Sequence, residues 1–362
     1  MSQVWNFGAG PAMLPRPVME RIREEWLDYQ GLGVSVIEIS HRSRPFQEIL
    51  DQARELFRQL TGLPPNYRVL FMHGGARMQF SALPMNLAGR SPGRKCLYVE
   101  SGNFSRLAAK DAQPFADVRV IASSAETNFD RLPNIAAESV DQDAAYLHIT
   151  SNNTVFGTQW QQFPETGAVP LVTDQTSEIL SRRLDFSRFG IVYAGLQKNL
   201  GPSGMAVVAI REDLLGCADE RTPVLLNYTR AAEDDSLTNT TNTFAVYAVR
   251  CVLEWIRDEG GLDEMERRNR AKAERLYNLL DASDFYRPFA RREDRSMMNV
   301  VFHLPDADLE GRFLAEAEKA GFFALKGHRA VGGIRASIYN PMPLEGVDAL
   351  AQFMAEFERT HG

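Results

Sequence analysis

The residue with the clearest chemical potential is Lys198, which lies in the stretch YAGLQKNLGPSG. Polar residues flank it directly, glycines stand nearby, and an apolar run lies on each side. Most lysines are surface charges. A lysine that a strand delivers to a tight, half-buried turn is different, because burial lowers the pKa of its amine and makes the amine a nucleophile. This placement favours Schiff-base chemistry.

A carboxylate that could act with this amine is Asp174, which follows the apolar residues of PLVTDQTS. A carboxylate at the end of a strand is usually a helix cap or a solvated turn residue, so a functional interpretation needs a cationic partner. Asp174 and Lys198 together suggest the cofactor pyridoxal phosphate. The carboxylate would keep the pyridine nitrogen protonated, so that the ring withdraws electrons, and the amine would hold the cofactor.

A third feature is the stretch HGGARMQF at residues 73–80, where two glycines stand between an apolar run and a helical pattern. Free backbone N–H groups at a helix N-terminus attract an anion, and Gly74 and Gly75 let the backbone approach it. Most glycine pairs after strands are only turns. The pattern therefore indicates a phosphate site only in combination with Asp174 and Lys198.

Cationic residues occur at three further places: His41–Arg42, His328–Arg329 and Arg335. Each His–Arg pair could be a solvated turn, but planar guanidinium and imidazole donors suit phosphate oxygens. Arg335 falls within a predicted strand, where a buried charge needs a partner. An internal Asp or Glu could be that partner, and so could a substrate carboxylate, which we favour.

Short apolar runs bounded by polar or glycine-containing turns predict the sheet that positions these residues. Strands buried on both faces have this pattern, so we expect an α/β fold with a mostly parallel sheet flanked by helices. Ligands bind at the carboxyl ends of such strands. Helices are predicted at 46–60 and 104–112. The seven predicted strands are 69–72, 97–99, 118–122, 144–149, 170–173, 191–194 and 205–210.

The pattern changes near residue 240 and predicts a smaller α+β domain. We therefore divide the chain into a large cofactor-binding domain with the N-terminal segment, residues 1–250, and a small domain that contributes substrate-binding residues, 251–362. The predicted elements of this part are helices at 244–258, 262–280, 309–320 and 344–359, and strands at 297–302 and 333–338.

Composition limits the classes of function. The chain has 362 residues, 44% of them hydrophobic and 24% charged, which is typical of a globular protein. A net charge of −7 argues against a nucleic-acid partner. The three cysteines form no CxxC pair, which argues against disulfides and against a metal site. No run is long enough to cross a membrane, and the N-terminus lacks a signal-peptide pattern, so we expect a cytoplasmic protein.

The chain resembles the phosphoserine aminotransferase family. Its members are pyridoxal-phosphate enzymes of fold type I and belong to the class V aminotransferase group. The resemblance covers essentially the full length. The segments that carry it are NFGAGPAMLP at 6–15, EISHRS at 38–43, HGGARMQF at 73–80, the Asp174 segment, AGLQKN at 194–199, LTNTTNTF at 237–244 and LKGHRAVGGIRASIYN at 325–340.

The resemblance implies a role for each site residue. Lys198 is the lysine that binds the cofactor covalently, Asp174 the partner of the pyridine nitrogen, and Thr154 the residue that bonds the ring hydroxyl. Phe104 stands where the family usually has tryptophan stacked on the ring, and Ala9 where it often has serine. The residues implied in binding the cofactor phosphate are Ala76, Arg77 and Gln197, with Asn239 and Thr240 from the other subunit of an obligate homodimer.

The implied substrate residues are Arg335 for the α-carboxylate and His41, Arg42, His328 and Arg329 for the distal acid. The implied reaction is reversible amino transfer between glutamate and 3-phosphohydroxypyruvate, giving phosphoserine and 2-oxoglutarate in serine biosynthesis. Some members also act on a phosphorylated hydroxythreonine in pyridoxine biosynthesis.

Three alternatives stay open. An alanine–glyoxylate aminotransferase of the same class has no phosphate to bind, so the two His–Arg pairs disfavour it. A cysteine desulfurase needs a reactive cysteine on a mobile loop, and none of the three cysteines has such a context. A non-catalytic phosphate-binding protein of the same fold would lack the cofactor's colour. The remaining histidines, His73, His148, His303 and His361, are assigned to structure.

Overall fold

The structure is a computed structural model that describes residues 3–362. Its helices are α1 (Arg16–Glu24), α2 (Arg44–Thr61), α3 (Gly75–Leu87), α4 (Asn103–Ala112), α5 (Tyr228–Glu233), α6 (Thr243–Asp258), α7 (Gly261–Ala282), α8 (Ala307–Lys319) and α9 (Leu344–His361). Its strands are β1 (Trp5–Asn6), β2 (Tyr67–His73), β3 (Lys95–Glu100), β4 (Asp117–Ser123), β5 (Leu147–Thr150), β6 (Asn152–Asn153), β7 (Thr158–Gln159), β8 (Leu171–Asp174), β9 (Ile191–Gly195), β10 (Met205–Arg211), β11 (Arg287–Pro288), β12 (Asn299–His303), β13 (Phe322–Phe323) and β14 (Ile334–Ser337).

The seven apolar runs that predict strands all lie in one seven-stranded sheet, in the order β2-β10-β9-β8-β5-β3-β4. Strands β9, β8, β5, β3 and β4 pair in parallel, and β10 runs antiparallel to both β2 and β9. The prediction of a mostly parallel sheet is confirmed. Because β10 reverses direction, a short turn joins β9 to β10, and Lys198 lies on this turn.

Both faces of the sheet are buried except at the edge strand β4, since consecutive residues of the inner strands enter different apolar clusters. In β2, Val69 and Phe71 pack in the cluster that contains α2 and α6, whereas Leu70 and Met72 pack in the cluster that contains α3 and α4. Side chains alternate across a strand, so a strand with helices on both sides needs apolar residues at every position. This is the physical reason for the continuous apolar runs.

A smaller three-stranded sheet, β11-β12-β14, lies in the C-terminal part of the chain, with α7, α8 and α9 contributing to its apolar cluster. The predicted small α+β region is confirmed. The N-terminal segment also joins it, because β1 pairs in parallel with β13 and Phe7 packs in the same cluster. The sequence did not predict β1, since two residues are too short to show a periodicity.

The division of the chain after residue 250 stays a prediction. Residue 250 lies within α6, and the buried side chains of α6 pack in the cluster of the large sheet. The buried side chains of α7 separate: Leu262 and Met265 pack with the large sheet, whereas Leu276 and Leu280 pack with the small one. Helix α7 therefore connects the two parts. None of the described helices is long and apolar enough to span a membrane.

Candidate active site

A cavity of ≈ 290 Å³ lies at the carboxyl edge of the large sheet. Ligands of open α/β sheets bind at the carboxyl ends of the strands. The cavity has this position, because Thr150 ends β5, Asp174 ends β8, and Lys198 follows β9. The lining residues are Ala9, Gly10, Ala76, Arg77, Phe80, Phe104, Thr150, Asn152, Thr154, Val155, Asp174, Thr176, Ser177, Gln197, Lys198, His328 and Arg335.

Lys198 presents a buried amine to this cavity. The side chain is 6% exposed, and Nζ donates a hydrogen bond to Thr154 Oγ1 at 2.5 Å. The N-terminal segment covers its stem, since a Cβ at Gly10 would lie 3.5 Å from Lys198 Cε. Burial lowers the pKa of Lys198 to about 7, helped by Arg335 and opposed by Asp174. Much of the amine is therefore unprotonated at neutral pH, as a nucleophile requires.

Asp174 is held in place by the residue two positions later. Its Oδ1 accepts hydrogen bonds from Thr176 N at 2.9 Å and from Thr176 Oγ1 at 2.6 Å. Thr176 Oγ1 in turn accepts from Gly195 N, which ties the carboxylate to β9. Within residues 3–362, no hydrogen bond reaches Oδ2. Burial raises the pKa of Asp174, and the Thr176 hydrogen bonds and Lys198 oppose this shift. A buried carboxylate with a free oxygen fits a protonated ring nitrogen.

The N-terminus of α3 forms one end of the cavity. Gly74 has a φ of 84° and Gly75 a φ of 63°, which glycine adopts without strain. Ala76, Arg77 and Gln197 come together here, since a Cβ at Gly195 would lie 3.2 Å from Ala76 N and 2.4 Å from Gln197 Oε1. The Arg77 side chain pairs with Asp111 at 2.7 Å and is 55% exposed. The Arg77 side chain is therefore already paired, and the backbone N–H groups at the N-terminus of α3 suit an anion.

Arg335, on β14, brings a positive charge to the cavity. Its Nη1 donates to Thr154 O at 3.4 Å, while Nε is buried without a partner. No Asp or Glu of the described chain lies within 4.0 Å of it, so the internal acid considered from the sequence is absent there. His328 also lines the cavity. Burial lowers the pKa of His328, and Arg335 and Arg329 lower it further.

Five residues singled out from the sequence do not line the cavity of their own chain: His41, Arg42, Arg329, Asn239 and Thr240. Arg42, Arg329 and Thr240 are exposed. Arg329 is next to His328 in the loop before β14, whereas the other four lie in connections that precede α2 and α6. Within one chain the structure does not bring them to Lys198.

Phe104, near the start of α4, lines the cavity and lies with its ring centroid 5.7 Å from Lys198 Nζ. It packs against two apolar clusters at once. His148 is placed differently: it is fully buried in the sheet, stacks on Tyr98 and shares a 2.8 Å hydrogen bond with Tyr193. Burial lowers the pKa of His148 to about 3. It does not line the cavity.

Sequence reasoning missed several polar residues that line the cavity. Thr176 orients Asp174, and Asn152 donates to Ser177 Oγ and to Asn299 Oδ1, both at 2.8 Å. The available signal was their position, since Thr176 and Ser177 directly follow the Asp174 strand and Asn152 lies two residues before Thr154. Short polar residues after a strand are also typical of ordinary turns, so this signal is weak by itself.

Comparisons with known proteins identify the family and the fold of the chain. The family model described as Aminotransferase class-V matches residues 4–350. A phosphoserine aminotransferase of Geobacillus kaustophilus is 48% identical over 360 residues, which cover 99% of each chain. The solved phosphoserine aminotransferase of Bacillus circulans subsp. alkalophilus is 44% identical, with a TM-score of 0.96 and all of both chains covered.

A further solved phosphoserine aminotransferase was described for radiation damage of its Schiff base. It is 42% identical, with a TM-score of 0.95 and with 99% of this chain and 100% of that chain covered. The chain therefore belongs to the class V aminotransferases and, within them, to the phosphoserine aminotransferase family.

Proposed function

We propose that this chain catalyses reversible amino transfer between glutamate and 3-phosphohydroxypyruvate, giving phosphoserine and 2-oxoglutarate, in serine biosynthesis. The observation that carries the proposal is the cavity in which the buried Lys198 amine, the Asp174 carboxylate and the unpaired Arg335 guanidinium meet. Full-length relatives named phosphoserine aminotransferase support the substrate assignment.

The residues of the cavity fit pyridoxal phosphate. The free N-terminus of α3 suits the phosphate, the free Oδ2 of Asp174 suits the ring nitrogen, and Thr154 suits the ring hydroxyl. Phe104 offers a face for the ring. When bound, the cofactor supplies an electron-withdrawing ring that stabilises negative charge at the α-carbon of the amino donor.

Lys198 holds the cofactor and moves the proton. Its amine is buried, and its pKa of about 7 lets it accept and release a proton near neutral pH. With the cofactor and an amino donor bound, the free Lys198 amine would be the base that accepts the α-proton of the donor and the acid that gives it back. Asp174 keeps the ring nitrogen protonated throughout, because Thr176 fixes its carboxylate on β8.

Arg335 binds the α-carboxylate that every amino donor carries. The Arg335 guanidinium has no Asp or Glu partner among the described residues, so the substrate carboxylate serves as its ion-pair partner. The distal acid of the substrate meets a second cationic group made of His328, Arg329, His41 and Arg42. Glutamate offers a carboxylate there and phosphoserine a phosphate, so one pocket accepts both.

The proposal includes a homodimer, because four of its residues lie away from the cavity of their own chain. His41 and Arg42 would reach the substrate phosphate of the partner subunit, and Asn239 and Thr240 its cofactor phosphate. Exposed apolar side chains in the stretch that precedes His41 support a second copy of the chain as the partner. They are Met19, Trp26, Leu27, Leu32, Val34 and Ile37. We place the enzyme in the cytoplasm, in line with three free cysteines.

The test compares phosphoserine with serine and alanine as amino donors in the reverse reaction. Charge-assisted hydrogen bonds contribute about 1.5–3 kcal/mol each. The loss of several predicts a fall in catalytic efficiency of at least about a thousandfold without the phosphate. Arg42→Ala and Arg329→Ala reduce this preference, whereas Arg335→Ala weakens all three donors alike because the α-carboxylate is common to them.

A wild type that uses alanine as well as phosphoserine would refute the phosphate pocket and favour an alanine–glyoxylate type of enzyme. A protein that is colourless after incubation with pyridoxal phosphate and removal of the free cofactor would favour the non-catalytic alternative. Including the phosphorylated hydroxythreonine in the same assay measures activity toward pyridoxine synthesis.

A further inference from the structure

A second buried lysine lies outside the cavity. Lys272, on α7, is 1% exposed, and its amine has no carboxylate within 4.0 Å among the residues that the structure describes. Instead Nζ donates to two backbone carbonyls, Ile338 O at 2.9 Å and Tyr339 O at 2.7 Å. Burial lowers the pKa of Lys272 to about 7, with a smaller effect of Arg268. A buried amine is costly, and a methionine would fill this space without that cost.

The two carbonyls belong to a short stretch of backbone, residues 338–340, which is called the 338–340 segment below. It continues directly from β14, the strand of Arg335. The hydroxyl of Tyr339 donates to Ala9 O at 2.9 Å, in the wall of the cavity. The backbone N–H of Asn340 donates to Asn199 Oδ1 at 3.0 Å, next to Lys198. The segment therefore touches the cavity at three places: the Arg335 strand, the Ala9 wall and the Lys198 turn.

A second side chain of α7 holds the same segment. Asn269 lies three residues before Lys272 and therefore on the same face of the helix. Its Nδ2 donates to Asn340 Oδ1 and to Ser181 O, both at 2.8 Å. Both α7 residues are fully or almost fully buried. Their hydrogen bonds have little competition from water, so they orient the segment strongly.

We propose that Lys272 is a positioning residue of the active site, which fixes the 338–340 segment and thereby sets the relative placement of Arg335 and Lys198. Lys272 contacts neither substrate nor cofactor and acts through the segment alone. The two hydrogen bonds to carbonyls fix the orientation of the segment's backbone, because a hydrogen bond is directional. Apolar packing against a methionine would not fix this orientation. The inference rests on the proposed function only in taking this cavity as the site of amino transfer.

The test is Lys272→Met, which keeps the length of the side chain and removes the donors. One measurement is the dissociation constant of pyridoxal phosphate, titrated into the cofactor-free protein and followed by quenching of intrinsic fluorescence. The other is KM for the amino donor that the wild type uses best. We expect both to rise about tenfold, because the loss of both carbonyl hydrogen bonds releases the segment that positions Arg335 and the Lys198 turn. Arg275→Met is the matched control: on the same helix, half-exposed Arg275 pairs with Asp348 at 2.7 Å, and both constants stay within twofold.

A purely structural role predicts a different result. Lys272→Met would then lower the melting temperature, while both constants stay within twofold of wild type at a temperature where the variant is folded, and this outcome overturns the proposal. If Lys272→Met does not fold, Asn269→Leu decides, since it releases the same segment: a tenfold rise supports the proposal and unchanged constants refute it. The dissociation constant of pyridoxal phosphate does not depend on the amino donor. A wild type that rejects phosphoserine would therefore defeat the proposed function, but the comparison of cofactor binding between wild type and Lys272→Met would still test the role of Lys272.

Discussion

At the residue scale, the amine of Lys198 gains its chemistry from burial. The nearby Asp174 carboxylate favours the charged form of this amine, yet desolvation is the larger effect and lowers the pKa of Lys198 to about 7. An ordinary lysine has a pKa of about 10.4. The neutral amine is therefore abundant at pH values where an ordinary lysine is charged.

The pH dependence of cofactor capture tests this. Only the neutral amine reacts, so the rate constant for covalent capture of pyridoxal phosphate by the cofactor-free protein should rise about tenfold per pH unit below pH 7 and level off above it. Stopped-flow absorbance measures the rate, and the same series with N-acetyl-lysine corrects for titration of the cofactor itself. Lys198→Ala should leave no cofactor attached after borohydride reduction. A corrected rate that keeps rising tenfold per unit to pH 9 would contradict a shifted pKa.

Phe104 is the second residue whose effect can be measured directly. Its ring lines the cavity, so we expect Phe104→Ala to weaken cofactor binding by the loss of a stacking contact worth about 0.5–1.5 kcal/mol beyond burial. Phe104→Trp should bind the cofactor at least as tightly as wild type, because an indole has a larger face. The dissociation constants of the three forms decide the matter. Equal values would mean that Phe104 is an ordinary core residue.

At the element scale, the loop between β13 and β14 carries His328 and Arg329 and is held by backbone contacts. Gly327 N donates to Gly333 O at 2.9 Å, and Gly333 N donates to Glu310 Oε2 of α8 at 3.2 Å. The backbone of Gly333 has a φ of 65°, and a Cβ there would lie 2.6 Å from Phe302 O. A side chain at position 333 therefore forces the loop away from β12.

Gly333→Ala should lower catalytic efficiency for phosphoserine at least about tenfold, because the displaced loop moves His328 and Arg329 away from the phosphate. Efficiency for alanine should fall less, since alanine has no phosphate to lose. Gly311→Ala on α8 is the control, because its Cβ would meet no atom within 4 Å. That helix position should gain up to about 1 kcal/mol of stability at unchanged efficiency. If Gly333→Ala lowers catalytic efficiency equally for phosphoserine and alanine, the loop has a structural role and does not recognise the phosphate.

At the scale of the whole molecule, several residues that the family resemblance assigns to the site do not line the cavity of their own chain. Arg42 and Thr240 are exposed and lie away from it, while Leu27 is 81% exposed and Ile37 is 53% exposed. Exposed apolar side chains close together along the chain are typical of an interface. In the proposed homodimer the partner subunit covers them and supplies the missing cationic and hydroxyl groups.

Association and cofactor binding should therefore be coupled. We expect Leu27→Asp to shift sedimentation toward the monomer and to weaken cofactor binding although it changes no residue of the cavity. Thr240→Ala should weaken cofactor binding without dissociating the dimer. Sedimentation velocity together with cofactor titration measures both. A monomeric protein that retains full cofactor occupancy and activity would refute the shared site.

The sequence by itself determined the elements and the chemistry that depend on local patterns. Strands such as β2 and β10 were predictable because burial on both faces makes most of their positions apolar. Asp174 and Lys198 were predictable because a strand end and a glycine-flanked turn define their surroundings within a few residues. The resemblance to a known family then added a role for Thr154 and implied that Arg335 binds the α-carboxylate of the substrate.

The tertiary structure decided what depends on contacts between distant segments. Only the fold shows that the Arg77 side chain turns to Asp111 and that the buried Lys272 reaches the segment beyond Arg335. Such pairings join residues separated by tens of positions, and no local periodicity encodes them. The two-residue strand β1 was likewise invisible in the sequence, since its partner β13 lies at the other end of the chain. Local propensity selects the elements, whereas burial and packing choose which of their side chains meet.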